Sequence, residues 1–476
     1  MIAMTIGDMA EAVGGRLVAG QDASSRVIEG LSYTDSREVE PGGIFFAKPG
    51  EFTDGHLFAP QAVERGAALV VVDHELGLDV PQIVVDDVVD ALGALARSSI
   101  ALAREAGILR IVGITGSNGK TTTKNLLAAI LGRVGETVAP RASFNNEVGA
   151  PLTMLEVGES TRFLVAEMGA SREGDIARLI RMAKPDVGVV LKVGLAHAGE
   201  FGGIEHTQRA KSEMVTDLDA EDTAVLNADD PRVAAMAQLT RAQVLWFGID
   251  GDAAADRVRA TDVRSTRTGT TFTLHLPAGV EGDGPSREVS FRVLGEHHVA
   301  NALAAASAAH ALGVGIDDIV AGLESVTRAE RWRMEVMGGA RGVTIINDAY
   351  NASPDSMAAA LKTLVQLREP EGRAIAVLGE MSELGEASGA EHDRVGLLAV
   401  RLGVDQVVVV GAGARRMHIS TINEGSWDGE SVFVETQDEA YGLLESMLRD
   451  GDTVLVKSSN SAGLRHLGDR LGELYS

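Results

Sequence analysis

Short apolar runs recur along the whole chain, and most of the segments between them carry apolar residues three and four positions apart. In the first hundred residues, runs at 43–47, 68–72 and 82–85 alternate with helical patterns at 59–65 and 88–106. A short apolar run suits a buried strand, and a 3.6-residue period suits a helix that buries one face, so this region reads as a small α/β domain. Its long helix stops at Gly107, a residue suited to the left-handed turn that ends helices, and a new apolar run begins at once over 109–115. The first boundary is therefore expected after residue 108.

The same rhythm continues with strands expected at 109–115, 162–168, 187–193, 223–227 and 244–247. Alternating strands and helices imply a largely parallel sheet whose ligand loops lie at the carboxyl ends of its strands. A polar, Gly-rich β stretch from about 255 to 293 reads as an antiparallel excursion, and an Ala-rich helix follows at 299–312. Beyond residue 326, strands at 343–347, 374–378, 406–410 and 453–457 predict a second, Rossmann-like doubly wound sheet. The expected fold class is α/β in three domains, 1–108, 109–326 and 327–476. Length agrees, since one core seldom serves more than about 100 to 200 residues.

Composition narrows the function. With 45% hydrophobic and 23% charged residues the chain should fold throughout. Sixty-eight acidic residues against 43 basic ones leave a net charge of -25, which argues against nucleic acid as a partner. Such a chain can still bind an anionic nucleotide, through a local site of backbone amides, a few cations and metal ions. The absence of cysteine excludes disulfides, thiolate catalysis and Cys-bound zinc. Neither a basic start followed by an apolar stretch nor an apolar run of about 18 residues is present. A cytoplasmic protein without an integral membrane segment is expected.

Residues 110–124 read RIVGITGSNGKTTTK, an apolar strand, a glycine loop and the opening of a helix. Glycines let the backbone turn its amides around phosphate oxygens, Lys120 supplies a cation near the outer phosphates, and the Thr121 hydroxyl suits Mg²⁺. The strict spacing would need glycine at position 114, where Ile114 stands, so the match is to a variant, G-x-x-G-x-x-G-K-T. A ligand-free Gly-rich turn is the plainer alternative. Gly116, Ser117, Asn118, Gly119, Lys120, Thr121 and Thr122 are the expected ATP cradle of a central domain of the P-loop ATPase type.

Glu167 and His197 both follow expected strands, at the sheet edge where ligands collect, and Lys211 lies in a helical stretch just beyond. A carboxylate so placed can hold Mg²⁺ through oxygen. Alone, each has a bland reading: a surface charge, a structural histidine, a solvated lysine.

Taken together, these segments resemble the Mur ligase family over nearly the whole chain. The resemblance implies that a carboxylate attacks the γ-phosphate of ATP to give an acyl phosphate, from which an incoming amine displaces phosphate. It implies Lys120, Glu167, His197 and Lys211 as the catalytic set. Thr121, Glu167 and His197 then become magnesium ligands together with Lys211, carbamylated so that a cation turns into an oxygen ligand. A carbamate needs a neutral amine, hence a lysine well below its usual pKa of about 10.4 or a metal that draws the equilibrium across.

By the same resemblance Asn145 and Asn146, in NNEVGAPLTML, lie near the reacting carboxylate, with Asn146 the weightier of the two. Asn301 of GEHHVAN reads the adenine, and Arg333 and Asp348 reach the nucleotide when the domains close. Ser36 and Arg37 of TDSREVEPGGIFFAKPGEFTDGH hold the uridine diphosphate of the substrate, although Asp-Ser-Arg is by itself a common surface turn. NDAYNASPDSM and LGEMSELG are patterns of the family member that adds D-alanyl-D-alanine to UDP-N-acetylmuramoyl-tripeptide. Asn351 would face that dipeptide, or simply form the turn before Ser353. A monomer is expected.

Two positions depart from the family pattern: Asn460 stands where arginine is more frequent, and Lys192 where Asn or Thr is. Other readings stay open at this point. They are a family member adding a diamino acid or lysine, a glutamate-adding relative acting on folate, a P-loop nucleotide switch or kinase, and a catalytically dead homologue. The last would be expected to lack Lys120, Glu167 or His197.

Overall fold

The computed structural model describes the chain except for residues 21, 51–52, 106, 142, 195–202, 250–256, 267–268, 278–283, 328–329, 340–341 and 426–428. It contains three large sheets in chain order.

The first has five strands, in the order Arg16–Val18, Gln82–Val84, Leu69–Val72, Ile44–Phe46 and Ser32–Tyr33. Side chains alternate across it. Phe45, Val70 and Val72 enter a small core under the helix Ala59–Glu64. Ile44, Phe46, Leu69 and Val71 point the other way and share one core with Leu164, Ala166 and Ile176 of the next domain. The helix Val88–Glu105 lies between them, with its buried Leu92, Leu95 and Ile100 in that shared core. The first domain is thereby seated on the second by continuous apolar packing.

The central sheet has nine strands in the order Ser286–Phe291, Gly269–His275, Arg257–Thr266, Gln243–Gly248, Thr223–Asn227, Val187–Val190, Arg110–Thr115, Phe163–Glu167 and Thr137–Val138. From Gln243–Gly248 to Thr137–Val138 all pairings are parallel, which lines up the carboxyl ends of the strands. The three strands from 257 to 291 form the expected antiparallel excursion. The helix Glu296–Ala311 is buried almost all round, and its many alanines let it lie close against the helix Lys120–Leu131 and the sheet. It starts earlier than its apolar pattern indicated, because Gly295 and the polar turn after it read as loop.

In the third sheet the order is Glu335–Gly338, Thr344–Asn347, Thr453–Lys457, Ala374–Leu378, Gln406–Val410 and Ser431–Val434, parallel except for the first strand. That antiparallel edge and the far edge strand at 431–434 escape a reading based on apolar runs, since their residues are only half buried.

The strand expected at 187–193 ends at Val190. The next carbonyls and amides are claimed by neighbouring loops: Ser117 N donates to Lys192 O at 2.8 Å, Asn227 Nδ2 to Leu191 O at 2.8 Å, and Val193 N to Asp230 Oδ2 at 3.0 Å. Among the described residues no helix is long and apolar enough to cross a membrane.

One carboxylate ties the first two domains together. Asp186 accepts from Arg104 Nη2 at 2.9 Å, from Arg110 Nη1 at 3.0 Å and from the Ile111 amide at 2.7 Å. Asp186→Ala is expected to cost about 2 kcal/mol, the scale of hydrogen bonds to a charged group discounted for the exposure of Arg110. A lowered urea midpoint with an unchanged far-ultraviolet circular dichroism spectrum would show it.

Candidate active site at the meeting of the central and C-terminal domains

The phosphate loop runs from the end of strand Arg110–Thr115 into the helix Lys120–Leu131. Two of its glycines are structurally obligatory. Gly116 has φ +153° with Leu191 pressed against it, and Gly119 has φ +88° with Asn301 Oδ1 occupying the space a Cβ would need. Ser117 is pinned by a reciprocal pair of bonds with Gly194, at 3.1 and 2.9 Å. Lys120 Nζ donates to Gly116 O at 2.8 Å, folding the cation back over the loop.

Glu167 ends the adjacent strand with 1% exposure. Its Oε1 accepts from Asn145 Nδ2 at 2.8 Å, while Oε2 is buried with no hydrogen-bond partner among the described residues. A buried carboxylate oxygen left unmatched is costly, which makes this one a candidate ligand atom. With the Thr121 hydroxyl nearby in the same cavity, the donor set is of the hard-oxygen kind that suits Mg²⁺.

Asn146 does something else. Its Oδ1 accepts from the Gly149 and Val148 amides at 2.9 and 3.3 Å and caps the helix Gly149–Met154. Asn145 reaches the Glu167 carboxylate, and Asn146 lines the neighbouring cavity of Lys211.

Lys211 is 3% exposed on the helix Ile204–Thr216. Burial, reinforced by the charge of Lys120, pushes its ammonium down to about 7. Burial also lowers Lys120, and Glu167 opposes that shift. His197 lies outside the described residues.

The C-terminal domain closes the cavity from the other side. Arg333 Nη2 lies 3.4 Å from Thr121 Oγ1, with its guanidinium 4.4 Å from the centre of the Tyr350 ring. The residues on either side of it, Trp332 and Met334, have φ of 61° and 49°, a region that non-glycine residues seldom enter. Side chains hold that turn: Trp332 N donates to Glu335 Oε2 at 2.9 Å and Met334 N to Asp348 Oδ1 at 3.0 Å. Asp348 is in turn fixed by Lys457, whose Nζ lies 2.6 Å from Oδ2 and 3.0 Å from the Asn351 carbonyl. Asn351 turns its own side-chain oxygen to the Ala352 amide at 2.8 Å.

Three more contacts cross between these domains. They are Tyr350 to Ser143 at 3.0 Å, Ser353 Oγ donating to Asn118 Oδ1 at 3.1 Å, and Lys192 paired with Asp355 at 3.2 Å. The unusual Lys192 is therefore a bridge to the C-terminal domain. Asn460 accepts from Arg465 Nη1 through its carbonyl at 2.9 Å, so a guanidinium from the start of the following helix reaches that loop.

Asn301 Nδ2 lies 3.2 Å from His298 Nδ1. An amide nitrogen only donates, so Nδ1 accepts and the ring proton sits on Nε2, which is buried in the cavity wall with no partner among the described residues. Burial pushes His297 down to about 4 and His298 well below its ordinary value, so both rings are neutral. These histidines, with Lys457, Tyr350 and Ser143, line a cavity of about 250 Å³ with the phosphate loop, Asn301, Arg333, Asp348 and Asn351.

Lys120 and Asn145 also line a second cavity, of about 340 Å³, with Asn146 and Lys211. A third, of about 400 Å³, lies in the first domain. Ser36 and Arg37 line it with Lys48 and Gln61. Ser36 Oγ donates to Gln61 Oε1 at 2.6 Å, and Arg37 pairs with Asp35 at 2.6 Å.

Three domain descriptions match this chain: Mur ligase family, catalytic domain, at 28–99; Mur ligase middle domain at 114–309; and Mur ligase, glutamate ligase domain, at 332–460. The UDP-N-acetylmuramoyl-tripeptide–D-alanyl-D-alanine ligase of Mycobacterium tuberculosis is 43% identical over 99% of this chain and 98% of its own. The chain belongs to the Mur ligase family. The enzyme of the same name from Escherichia coli is 33% identical over 99% of both chains. A crystal structure of MurF from Acinetobacter baumannii superposes with a TM-score of 0.86 at 31% identity, over 99% of each chain. A MurF ligase from Thermotoga maritima in complex with ADP gives 0.80 at 27%, over 94% of this chain and 98% of that one. As a Mur ligase the protein is an ATP-dependent enzyme that forms amide bonds.

Lys457, Tyr350, Ser143, His297 and His298 are not in the set expected from sequence. The lysine ends an apolar strand, and only the return of that strand beside Thr344–Asn347 brings it to Asp348. Lys457→Met is expected to lower kcat/KM for ATP by about tenfold or more, equivalent to about 1.4 kcal/mol. Steady-state kinetics at varied ATP would show it, and unchanged kinetics would refute the coupling.

Proposed function

We propose that this Mur ligase joins D-alanyl-D-alanine to UDP-N-acetylmuramoyl-tripeptide at the expense of ATP. The products are UDP-N-acetylmuramoyl-pentapeptide, ADP and phosphate, and the step belongs to peptidoglycan precursor synthesis. The observation that carries this reading is that Lys120 and Asn145 line both the cavity of the phosphate loop and the cavity of Lys211, so one ammonium would serve an outer phosphate in the first and an acceptor carboxylate in the second. Full-length similarity to ligases of that name supports the choice of substrates.

The acceptor carboxylate attacks the γ-phosphorus, ADP leaves, and an acyl phosphate forms. The dipeptide amine then attacks the acyl carbon, and the C–O bond to phosphate breaks as the amine loses its proton. Lys120 orients the transferred phosphate, and the phosphate-loop amides hold the rest of the chain of phosphates. Glu167, Thr121, His197 and a carbamate on Lys211 are the groups that would hold magnesium, whose charge when bound neutralises the phosphate oxygens. Arg333, pressed against Thr121, completes the cage and excludes water from the labile acyl phosphate.

Ser36 and Arg37 hold the uridine diphosphate in the first-domain cavity, Asn301 reads the adenine, and Asn351 faces the dipeptide. The working parts divide at 108 and 326. All lie on one chain, so we take the enzyme to act as a cytoplasmic monomer.

Lys211 fits carbamylation: it is buried, among the described residues its Nζ has no hydrogen-bond partner, and its ammonium is depressed to about 7. Carbon dioxide adds to the neutral amine with loss of a proton. The neutral fraction rises through about pH 7, so ¹³C-bicarbonate should give a carbamate resonance that grows between pH 6 and 8 and is missing from Lys211→Ala. Its absence from the parent protein at pH 8 would exclude the modification.

The reaction itself is tested with Mg-ATP and UDP-N-acetylmuramoyl-tripeptide, with and without D-alanyl-D-alanine. Phosphate release that requires the dipeptide, and a mass gain equal to the dipeptide less water, are expected. Arg333→Ala should lower ligation by about tenfold or more while binding of the UDP-linked substrate, measured by calorimetry, stays within about twofold. A large loss of that binding would contradict the role given to Arg333.

A further inference from the structure

Arg333 reaches the phosphate loop from a turn that its own backbone disfavours. Trp332 before it and Met334 after it both have positive φ, which a side chain with a Cβ resists. Its guanidinium lies 3.4 Å from Thr121 Oγ1, at the outer edge of hydrogen-bonding range, so a small shift of the turn would lose the contact. Something must therefore hold the turn from behind.

The Trp332 side chain supplies that hold. Its Nε1–H donates to both oxygens of Asp469, at 3.0 and 3.1 Å, on the C-terminal helix Arg465–Leu474. Two guanidiniums lie over the indole, Arg331 at 5.0 Å and Arg465 at 5.4 Å from the ring centre. Such cation–π contacts orient a ring, and a charged acceptor makes the indole hydrogen bond stronger than a neutral one.

Asp469 is itself fixed. Its side chain is 17% exposed, and it also accepts from Arg331 Nη2 at 3.1 Å and from Asn347 Nδ2 at 3.2 Å. Asn347 is fully buried at the end of the strand Thr344–Asn347 and gives the same amide group to the Arg465 carbonyl at 2.9 Å. Gly468 lets the helix come this near, since a Cβ there would fall 2.3 Å from Asn347 Nδ2. The carboxylate thus joins the helix, the strand and the turn at one point, and Trp332 links that point to the residue that faces the phosphate loop.

We propose that Asp469 is a positioning residue for ATP, holding Trp332 and through it the turn that aims Arg333 at the outer phosphates. The inference rests on the role given to Arg333 above and deepens it. Asp469 need not touch the nucleotide to act, because a misplacement of about 1 Å in a charged group at a reacting centre can cost on the order of a hundredfold in rate. A carboxylate that merely seated the C-terminal helix would affect stability with no dependence on Arg333.

That difference is read by a double-mutant cycle on the full-length enzyme, following phosphate release at varied Mg-ATP with UDP-N-acetylmuramoyl-tripeptide and D-alanyl-D-alanine. Trp332→Phe keeps a ring between the two guanidiniums and removes the N–H that Asp469 accepts. It should lower kcat/KM for ATP by about fivefold or more in the parent background, and by less than about twofold in Arg333→Ala, where the group it aims is already gone. Affinity for the UDP-linked substrate, measured by calorimetry, should stay within about twofold throughout. Asp469→Ala should reproduce Trp332→Phe, and Asp469→Asn, which keeps one acceptor oxygen, should fall between it and the parent. Thermal melts check that each variant folds, and Asp469→Asn takes the place of any that does not in the same cycle.

Equal losses from Trp332→Phe in both backgrounds overturn the positioning role and leave that of Arg333 intact. A parent enzyme indifferent to Trp332→Phe and to Asp469→Ala does the same. If Arg333→Ala itself leaves ATP kinetics unchanged, the role of Arg333 fails and the positioning role falls with it.

Discussion

Burial of charge is the constraint around which this active site is organised. Glu167 and Lys211 are withdrawn from water, Lys120 is half-buried near them, and the protein alone satisfies them only in part. Glu167 keeps one oxygen unmatched, and Lys211 is depressed toward neutrality instead of being paired. In a folded chain such groups are costly, and they persist where a ligand supplies the missing partner. Phosphates, metal ions and an acceptor carboxylate are the species whose charges fit the gaps. The same desolvation that destabilises the empty arrangement strengthens each interaction once the substrates are in place.

The surrounding architecture keeps those charges dry and in register. The first domain shares its core with the central sheet and is tied to it through Asp186, which leaves the two little freedom to move apart. Across the other face the contact is mainly polar, with Leu294 of the central domain packed into the C-terminal core. Arg333 on Thr121, Tyr350 on Ser143, Ser353 on Asn118 and Lys192 on Asp355 all join side chains instead of cores. Polar interfaces of this kind separate more readily than apolar ones, which suits a domain that must open to admit nucleotide and dipeptide. The strained turn at Trp332 and Met334 aims Arg333 at the phosphate loop, and Asp348 with Lys457 holds that turn in place.

How far the chain could be read in advance varied with the range of the forces involved. The phosphate loop was visible because its requirements are local: glycines at special dihedral angles, a lysine and a threonine at fixed spacing. The central strands were visible for the same reason, as runs buried on both faces. The strand at 187–193 was overextended because its last residues are bound by Ser117, Asn227 and Asp230, none of which is near in sequence. Asn145 and Asn146 look equivalent as letters, and only the helix beginning at Gly149 separates a cap from a ligand of Glu167.

The sequence by itself determined the α/β rhythm, a glycine loop of the phosphate-binding kind and the family, because each of these depends on residues close together in the chain. Only the tertiary structure decided that Lys457 clamps Asp348, that Lys192 bridges to Asp355, and that Asp469 accepts from Trp332. Those pairings join segments up to 163 residues apart and depend on how three sheets pack, a matter of long-range burial and electrostatics that no local pattern records.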